Sequence, residues 1–361
     1  MAHKKSILNQ QYEEYWDFTL EYTKFEGKLF NDCLKIIIDF MDKNKSIDSK
    51  KYKALQILVN NFNPKSDLGS VRKSINQFFK LGFINNNFNG YHYKTKEFLQ
   101  ANNKETKARI LSEVMYDNAS FSRSFSNQSN KNELKFLIKT MENCGRTITK
   151  NNLLALMYFT EIDKKKFLNK KELDALTKNI INSGALNRKY NQQNYLWSYC
   201  ANVLTGIFYD KQHETLTLDE PEFEYTEKRA TRDPYKQILY KYSLYEESKE
   251  LFDDVLCYVE FFKFPVLIAS HIKPYRACSK KEEFDKNNGL LLSRTLDQLF
   301  DQGWISFGDD GAIIVNDNLT SNLKDFLYTK RSDKRLLNKY RLAYLKYHRE
   351  NIFDKNKTYK F

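Results

Sequence analysis

The sequence predicts an α+β, multidomain protein with a mainly helical N-terminal part. Three observations carry this reading. Apolar residues recur at helical spacing, as at Val71, Ile75, Phe78 and Phe79. Helical stretches are followed by a glycine and a short apolar run, as in "KLGFIN" at 80–85 and "NSGALN" at 182–187. From about residue 236 the texture changes, and short runs of Val, Ile and Leu alternate with turns rich in Asn, Asp and Gly.

A chain of 361 residues predicts two or three domains. Its 41% hydrophobic and 15% aromatic content is enough to build real cores. Lys and Arg total 59 against 46 Asp and Glu, a net charge of +13. Such a basic chain suits a polyanionic partner, although an AT-rich genome would also raise Lys and Asn. No apolar run approaches the roughly 18 residues that span a membrane. The start, "MAHKKSILNQQYEEYW", lacks the apolar core of a signal peptide. Cys33, Cys144, Cys200, Cys257 and Cys278 stand singly, which predicts a reducing, cytoplasmic setting and no structural zinc.

Along the chain, residues 1–26 read as a helix carrying Tyr12, Trp16, Phe18, Tyr22 and Phe25 that braces another domain. Within a first domain at 1–103, "KLFNDCLKIIIDFMDK" and "SKKYKALQILVNNF" read as helices. A third follows, capped by Ser70 and ended by Gly82. Its apolar face leaves Arg72, Lys73, Asn76, Gln77 and Lys80 largely on the other side. Phe83-Ile84 and the Asn89-Gly90 turn then predict a hairpin, so this domain has the pattern of a winged helix. Residues 104–132, ending in "NASFSRSFSNQSNKN", read as a linker or surface loop. Residues 133–210 read as a second winged-helix-like domain with the order helix, Gly184, strand, turn, strand, and a helical domain without DNA contact stays open as the alternative. Residues 211–235 form a second linker, and 236–361 a C-terminal domain.

That last domain holds the chemistry. The run Val266-Leu267-Ile268-Ala269 ends at Ser270 and His271, and Pro274 stops the strand from continuing. Asn287, Asn288 and Gly289 make a turn before the strand Leu290-Leu291-Leu292. A helix follows with Leu296, Leu299 and Phe300 on one face, and Asp297 and Asp301 at i, i+4. Gly303 ends it, and Asp310-Gly311 turns a hairpin. Two carboxylates on one face suit Mg²⁺, and a neutral imidazole suits activation of water. Together they suit metal-assisted phosphodiester hydrolysis. A lone histidine on a strand end and an aspartate pair on a solvated face are the bland alternatives. His3, His92 and His213 read as surface residues.

Three blocks, "IASHIKPYRA", "FDKNNGLLLSRTLDQLFDQGWISFGDDG" and "RLAYLKYHRENIF", resemble the HNH endonuclease domain of many bacterial restriction enzymes. The entry segment "CYVEFFKFPVLIASHIKP" resembles that family too, and the likeness spans about 245–355. It implies a ββα-metal fold, a hairpin and a helix around one divalent metal, Mg²⁺ or Mn²⁺. His271 then matches the general base, and Asn288 the asparagine that ties down the loop. Asp297 stands where a histidine or asparagine metal ligand is usual. Ser270 stands where many members carry an aspartate ligand, which makes Asp301 the candidate second ligand. The resemblance makes Lys273, Arg276 and Arg294 phosphate contacts, and His348 and Arg349 either structural or phosphate-touching.

It further implies a type II restriction endonuclease acting on double-stranded DNA, cutting as a dimer and paired with a methyltransferase in a bacterial cytoplasm. Separate reading and cutting modules suit type IIS cleavage outside the recognised bases. Base readout falls to Arg72, Lys73, Asn76 and Gln77, and in the second module to Lys171, Lys178 and Arg188. The alternatives are a non-catalytic tandem winged-helix regulator, and a modification-dependent or RNA-directed HNH nuclease.

Overall fold

The computed structural model describes residues 15–183, 192–220 and 232–358. The chain divides into two compact units, Met1–Asp219 and Glu220–Phe361. Helices dominate and the sheets are small, so the α+β class holds.

The first unit opens with α1 (Lys28–Lys43), α2 (Ser49–Phe62) and α3 (Leu68–Lys80). All three fall where apolar spacing predicts them. The cap of α3 is Asp67, whose side chain accepts from the Ser70 amide at 2.9 Å, so Ser70 lies inside the helix. A minimal turn follows in place of the predicted hairpin strands, with a single antiparallel bridge from Ile84 to Tyr91. Gln77 is 1% exposed, and Lys80 is also buried. Gln77 Oε1 accepts from the Tyr22 amide at 3.0 Å. Lys80 Nζ donates to the Asp17 carbonyl, the Asp17 carboxylate and Thr19. These two side chains therefore belong to the interior and not to a solvent face.

Their partners explain a second departure. Residues 15–27 are not helical. Trp16 and Phe18 are buried alternately, and the Trp16 amide donates to the Met157 carbonyl at 2.9 Å. The Phe18 amide donates to Gln192 Oε1 at 3.0 Å. Backbone and side-chain groups of distant helices thus take the bonds that a helix would have made internally. The segment does brace the unit, but as an extended strap. Tyr12 and His3 lie outside the described residues.

After α4 (Thr95–Gln100), the stretch read as a linker opens with α5 (Lys104–Asn118), which buries Ile110, Leu111, Val114 and Met115. Beyond α5, Phe121 is buried and Phe125 stacks on Tyr52 at 3.9 Å. Its Ser and Asn side chains bond the local backbone, so their polarity builds turns that lie on a core. His92 is buried beside Asp117, against the surface reading.

The unit continues with α6 (Glu133–Asn143), β1 (Thr147–Thr149), α7 (Lys150–Met157), α8 (Lys170–Asn182), α9 (Gln192–Asn202), β2 (Ile207–Asp210) and β3 (Thr215–Leu218). The strands form one antiparallel sheet in the order β1-β3-β2. The predicted second strand of this domain is helix α9 instead. Its buried residues, Gln192, Leu196, Trp197, Tyr199 and Cys200, repeat at helical intervals. Gly184 and Arg188 lie outside the described residues.

The second unit comprises α10 (Pro234–Phe252), β4 (Ile268–His271), β5 (Gly289–Leu292), α11 (Arg294–Asp301), β6 (Ile305–Phe307), β7 (Ile313–Val315), α12 (Ser321–Tyr328) and α13 (Lys339–Asn351). β4 pairs antiparallel with β5, and β6 with β7. Both α10 and α11 pack on the β4-β5 hairpin. Leu290, Leu291 and Leu292 are consequently all buried, which is why β5 reads as a continuous apolar run.

Gly82 sets a test of the helical unit. It ends α3 with φ +89°, and a Cβ there would lie 2.7 Å from the Asn118 carbonyl carbon. Gly145 also has a positive φ, +79°, but its Cβ would meet nothing within 4 Å. Gly145→Ala should cost about 1 kcal/mol from backbone handedness alone. Gly82→Ala should lower the thermal midpoint clearly further, because α5 must also move.

Candidate active site

The hairpin and helix predicted around His271 are β4, β5 and α11. The register sets Ile268 opposite Leu292 and His271 opposite Gly289. His271 thus ends β4 where the chain leaves for a long loop, residues 272–288, that returns at Asn288. The His271 ring stacks on Tyr240 of α10, with centroids 4.6 Å apart, and meets Tyr275 edge-on at 5.8 Å. Its Nε2 lies 2.8 Å from the Glu283 carbonyl oxygen. A carbonyl can only accept, so the neutral ring carries its proton on Nε2 and leaves Nδ1 as the basic atom. The residue is 9% exposed. Burial pushes its pKa down to about 4; the Glu283 bond opposes this, and the Arg232 charge adds to it.

Asn288 is fully buried. Its Oδ1 accepts from the Lys273 amide at 2.7 Å. Its Nδ2 lies 3.2 Å from each of the Lys273 carbonyl, the Glu282 carbonyl and Cys278 Sγ. Its backbone carbonyl accepts from the Ile272 amide and from the Tyr240 hydroxyl, each at 3.0 Å. One side chain therefore joins both ends of the loop. Gly289 lets Tyr240 reach in, because a Cβ there would lie 2.4 Å from the Tyr240 hydroxyl.

The acidic candidates sit on α11. Asp297 is half-buried in the first turn and Asp301 is exposed one turn later. Ser270 is buried opposite Leu290 in the hairpin. Among the described residues, no group of three or more His, Cys, Asp or Glu side chains is placed to hold a metal ion. What remains is one or two carboxylates, a donor set that suits Mg²⁺ completed by water and phosphate.

The phosphate candidates divide. Arg276 and Arg294 are exposed. Lys273 Nζ meets both carboxylate oxygens of Glu282 at 2.9 Å. The Ser279 amide and then Lys273 hold the Glu282 carboxyl down at about 2. His348 is 1% exposed, with Nδ1 2.9 Å from Ser306 Oγ and Nε2 3.0 Å from the Phe300 carbonyl. Arg349 donates to the Phe307 carbonyl and to Asp309, each at 2.7 Å. Of the two roles open to His348 and Arg349, this geometry fits the structural one. Of the readout candidates, Arg72 and Lys73 are exposed on α3, and Lys171 and Lys178 on α8. Asn76 is half-buried, with Oδ1 3.4 Å from the Phe125 amide. Gln77 is interior, as described above.

Sequence reasoning missed the residue that pins the loop. Arg341 of α13 is completely buried. It donates to the Gly289 carbonyl (3.1 Å), the Lys286 carbonyl (3.0 Å), the Leu336 carbonyl (2.7 Å) and Glu247 Oε2 of α10 (2.7 Å). Lys286 and Gly289 flank the turn that holds Asn288. Glu247 also accepts from the Tyr258 hydroxyl at 2.8 Å. The buried positions 341, 345 and 348 lie at i, i+4 and i+7, so helical spacing in "RLAYLKYH" was the available signal.

Two expected outcomes follow from these buried groups. Arg341→Met leaves Glu247 buried without its cation and should cost about 3–5 kcal/mol in urea unfolding of the second unit. Adding Glu247→Gln should recover part of that loss. His348, like His271, is pushed down to about 4, mainly by burial. Each takes up its proton more readily unfolded than folded, so stability is full above pH 6.5 and falls as pH drops from about 6.5 towards 4. The loss should be about 2 kcal/mol per histidine at pH 5. Urea midpoints at pH 7.5 and 5 in wild type and His348→Gln should show a smaller drop in the variant.

Residues 254–308 match a family model described as HNH endonuclease. The matched segment contains β4, the loop, β5, α11 and β6, and with them His271, Asn288, Asp297 and Asp301. No curated protein matches the chain. The protein therefore carries an HNH endonuclease domain in its C-terminal part, and with it the hydrolytic chemistry of a nuclease acting on nucleic acid.

Proposed function

We propose that this nuclease is a sequence-specific restriction endonuclease of type II that hydrolyses phosphodiester bonds in double-stranded DNA. The observation that carries the reading is His271 itself. A carbonyl takes its Nε2 proton, an aromatic ring supports one face, and the loop beside it is closed by Asn288. This arrangement suits a general base that takes a proton from water through Nδ1. Asn288 positions that base. Asp297 is the first candidate to hold a divalent cation, Mg²⁺ or Mn²⁺, and Asp301 the second; Ser270, buried in the hairpin, is the weakest donor of the three. When bound, such a cation would offset charge on the phosphate and the leaving oxygen. Arg276 and Arg294 suit phosphate contact as they stand, and Lys273 suits it once released from Glu282.

Specificity belongs, on this reading, to the first unit. The helix–strand–helix pattern of α6, β1, α7, α8 and α9, followed by β2 and its partner β3 in a sheet ordered β1-β3-β2, supports the winged-helix reading of residues 133–210, with β3 just beyond it. Lys171 and Lys178 on α8 are the candidate base contacts of this module, and Arg72, Lys73 and Asn76 on α3 those of the first winged-helix-like domain. Separate reading and cutting units favour type IIS cleavage. Two-strand scission by a one-metal site favours two copies acting together, and survival of the host's own DNA requires a methyltransferase partner in the cytoplasm.

The direct test incubates the full chain with methylated and unmethylated plasmid in Mg²⁺ or Mn²⁺ and sequences the ends. Cuts at a fixed distance from one sequence are expected, with His271→Ala slower by about 10² or more. Undiminished cleavage by His271→Ala would remove the site assignment. Cleavage of methylated plasmid alone, or of RNA alone, would replace the substrate.

A further inference from the structure

We propose that Arg232 is a phosphate contact of the nuclease site, delivered to the rim of His271 by the segment that enters α10. The residue lies outside the matched segment 254–308, so the family likeness says nothing of it. The proposal deepens the reading of His271 as the base and rests on it.

Arg232 Cζ lies 4.6 Å from the centroid of the Tyr275 ring. That ring meets the His271 imidazole edge-on at 5.8 Å. The Tyr275 hydroxyl donates to the Glu283 carboxylate at 3.1 Å, while the Glu283 carbonyl takes the His271 proton. The guanidinium is therefore separated from the catalytic imidazole by one aromatic ring, and that ring is itself held in place. A cation over an aromatic face is attracted to it, which preorganises the side chain before substrate arrives. A guanidinium also matches the phosphate group with a fork of N–H donors.

The other basic side chains near the loop make this placement useful. Arg276 and Arg294 are exposed, and among the described residues no ring holds either in the way Tyr275 holds Arg232. The groups recorded around His271 are Arg232 and Tyr240 from the α10 side, and Tyr275 and Glu283 from the loop. Arg232 is the cation of that set. Held there, this side chain is placed to draw a phosphate towards the base.

The experiment uses the full chain with Arg232→Met, Arg232→Lys and His271→Ala. Cleavage of supercoiled plasmid DNA is followed in Mg²⁺ or Mn²⁺ across pH, and binding of a fluorescent DNA duplex is followed in EDTA across salt. Methionine keeps bulk over Tyr275 without charge, and lysine keeps the charge. The expected result is that Arg232→Met lowers kcat/KM by about tenfold or more and reduces the salt slope of binding by about one, and that lysine restores the slope. An Arg232→Met protein that binds and cleaves like wild type overturns the proposal. So does equal loss in both variants with an unchanged salt slope, which would mark a packing role. Wild-type cleavage by His271→Ala would instead overturn the reading of the base, and the salt slope would still decide Arg232.

Discussion

The second unit depends on one buried ion pair. Arg341 on α13 and Glu247 on α10 meet at 2.7 Å with the arginine wholly removed from solvent. Taking these charges out of water is costly, and their mutual attraction offsets the cost only when further hydrogen bonds satisfy the buried groups. Here each guanidinium nitrogen has a partner, because the same group also reaches the carbonyls of Lys286, Gly289 and Leu336. The pair therefore ties two helices to the turn on which Asn288 stands. A hydrophobic pair of the same volume could fill the space, but it could not hold three carbonyl groups in fixed positions.

From that turn the constraint passes to the chemistry. Asn288 holds the backbone at Ile272 and Lys273, directly after His271, and the carbonyl of Glu282. Glu283, the next residue, holds the imidazole. Tyr240 closes the circuit by stacking on His271 and donating to the Asn288 carbonyl, an approach that glycine at 289 permits. A short hairpin with a long loop would by itself leave the histidine poorly placed. Buried polar bonds make it a defined site, since breaking any one leaves an unsatisfied group in a dry interior.

Much of this unit was legible in the sequence. The apolar run ending at His271, the Leu triplet and the amphipathic helix with Asp297 each appear where periodicity and turn residues place them. The polar side chains with structural roles were harder to read. Arg341 looks like a surface cation, because sequence pattern treats charge as exposed, and the roles of Arg341 and His348 become plain only from their partners. The first unit misled for the same reason. Gln77 and Lys80 are polar and lie off the apolar stripe of α3, yet they are buried because residues 15–27 lie over them. The stretch at 104–132 looked like a linker because its last third is rich in Ser and Asn. Those residues shape a turn over Phe121 and Phe125, and α5 precedes it. Long-range cover of this kind has no local periodicity to reveal it.

The most direct measurement is native-state hydrogen exchange at the Ile272 and Lys273 amides, which are bonded to the Asn288 carbonyl and Oδ1. If the Arg341–Glu247 pair governs the loop, these amides exchange as slowly as the β4-β5 core in the wild type. In Arg341→Met they should then exchange about tenfold faster or more than that core, through a local opening. Equal protection of the loop and the hairpin in the variant would contradict the claim that this buried pair builds the site.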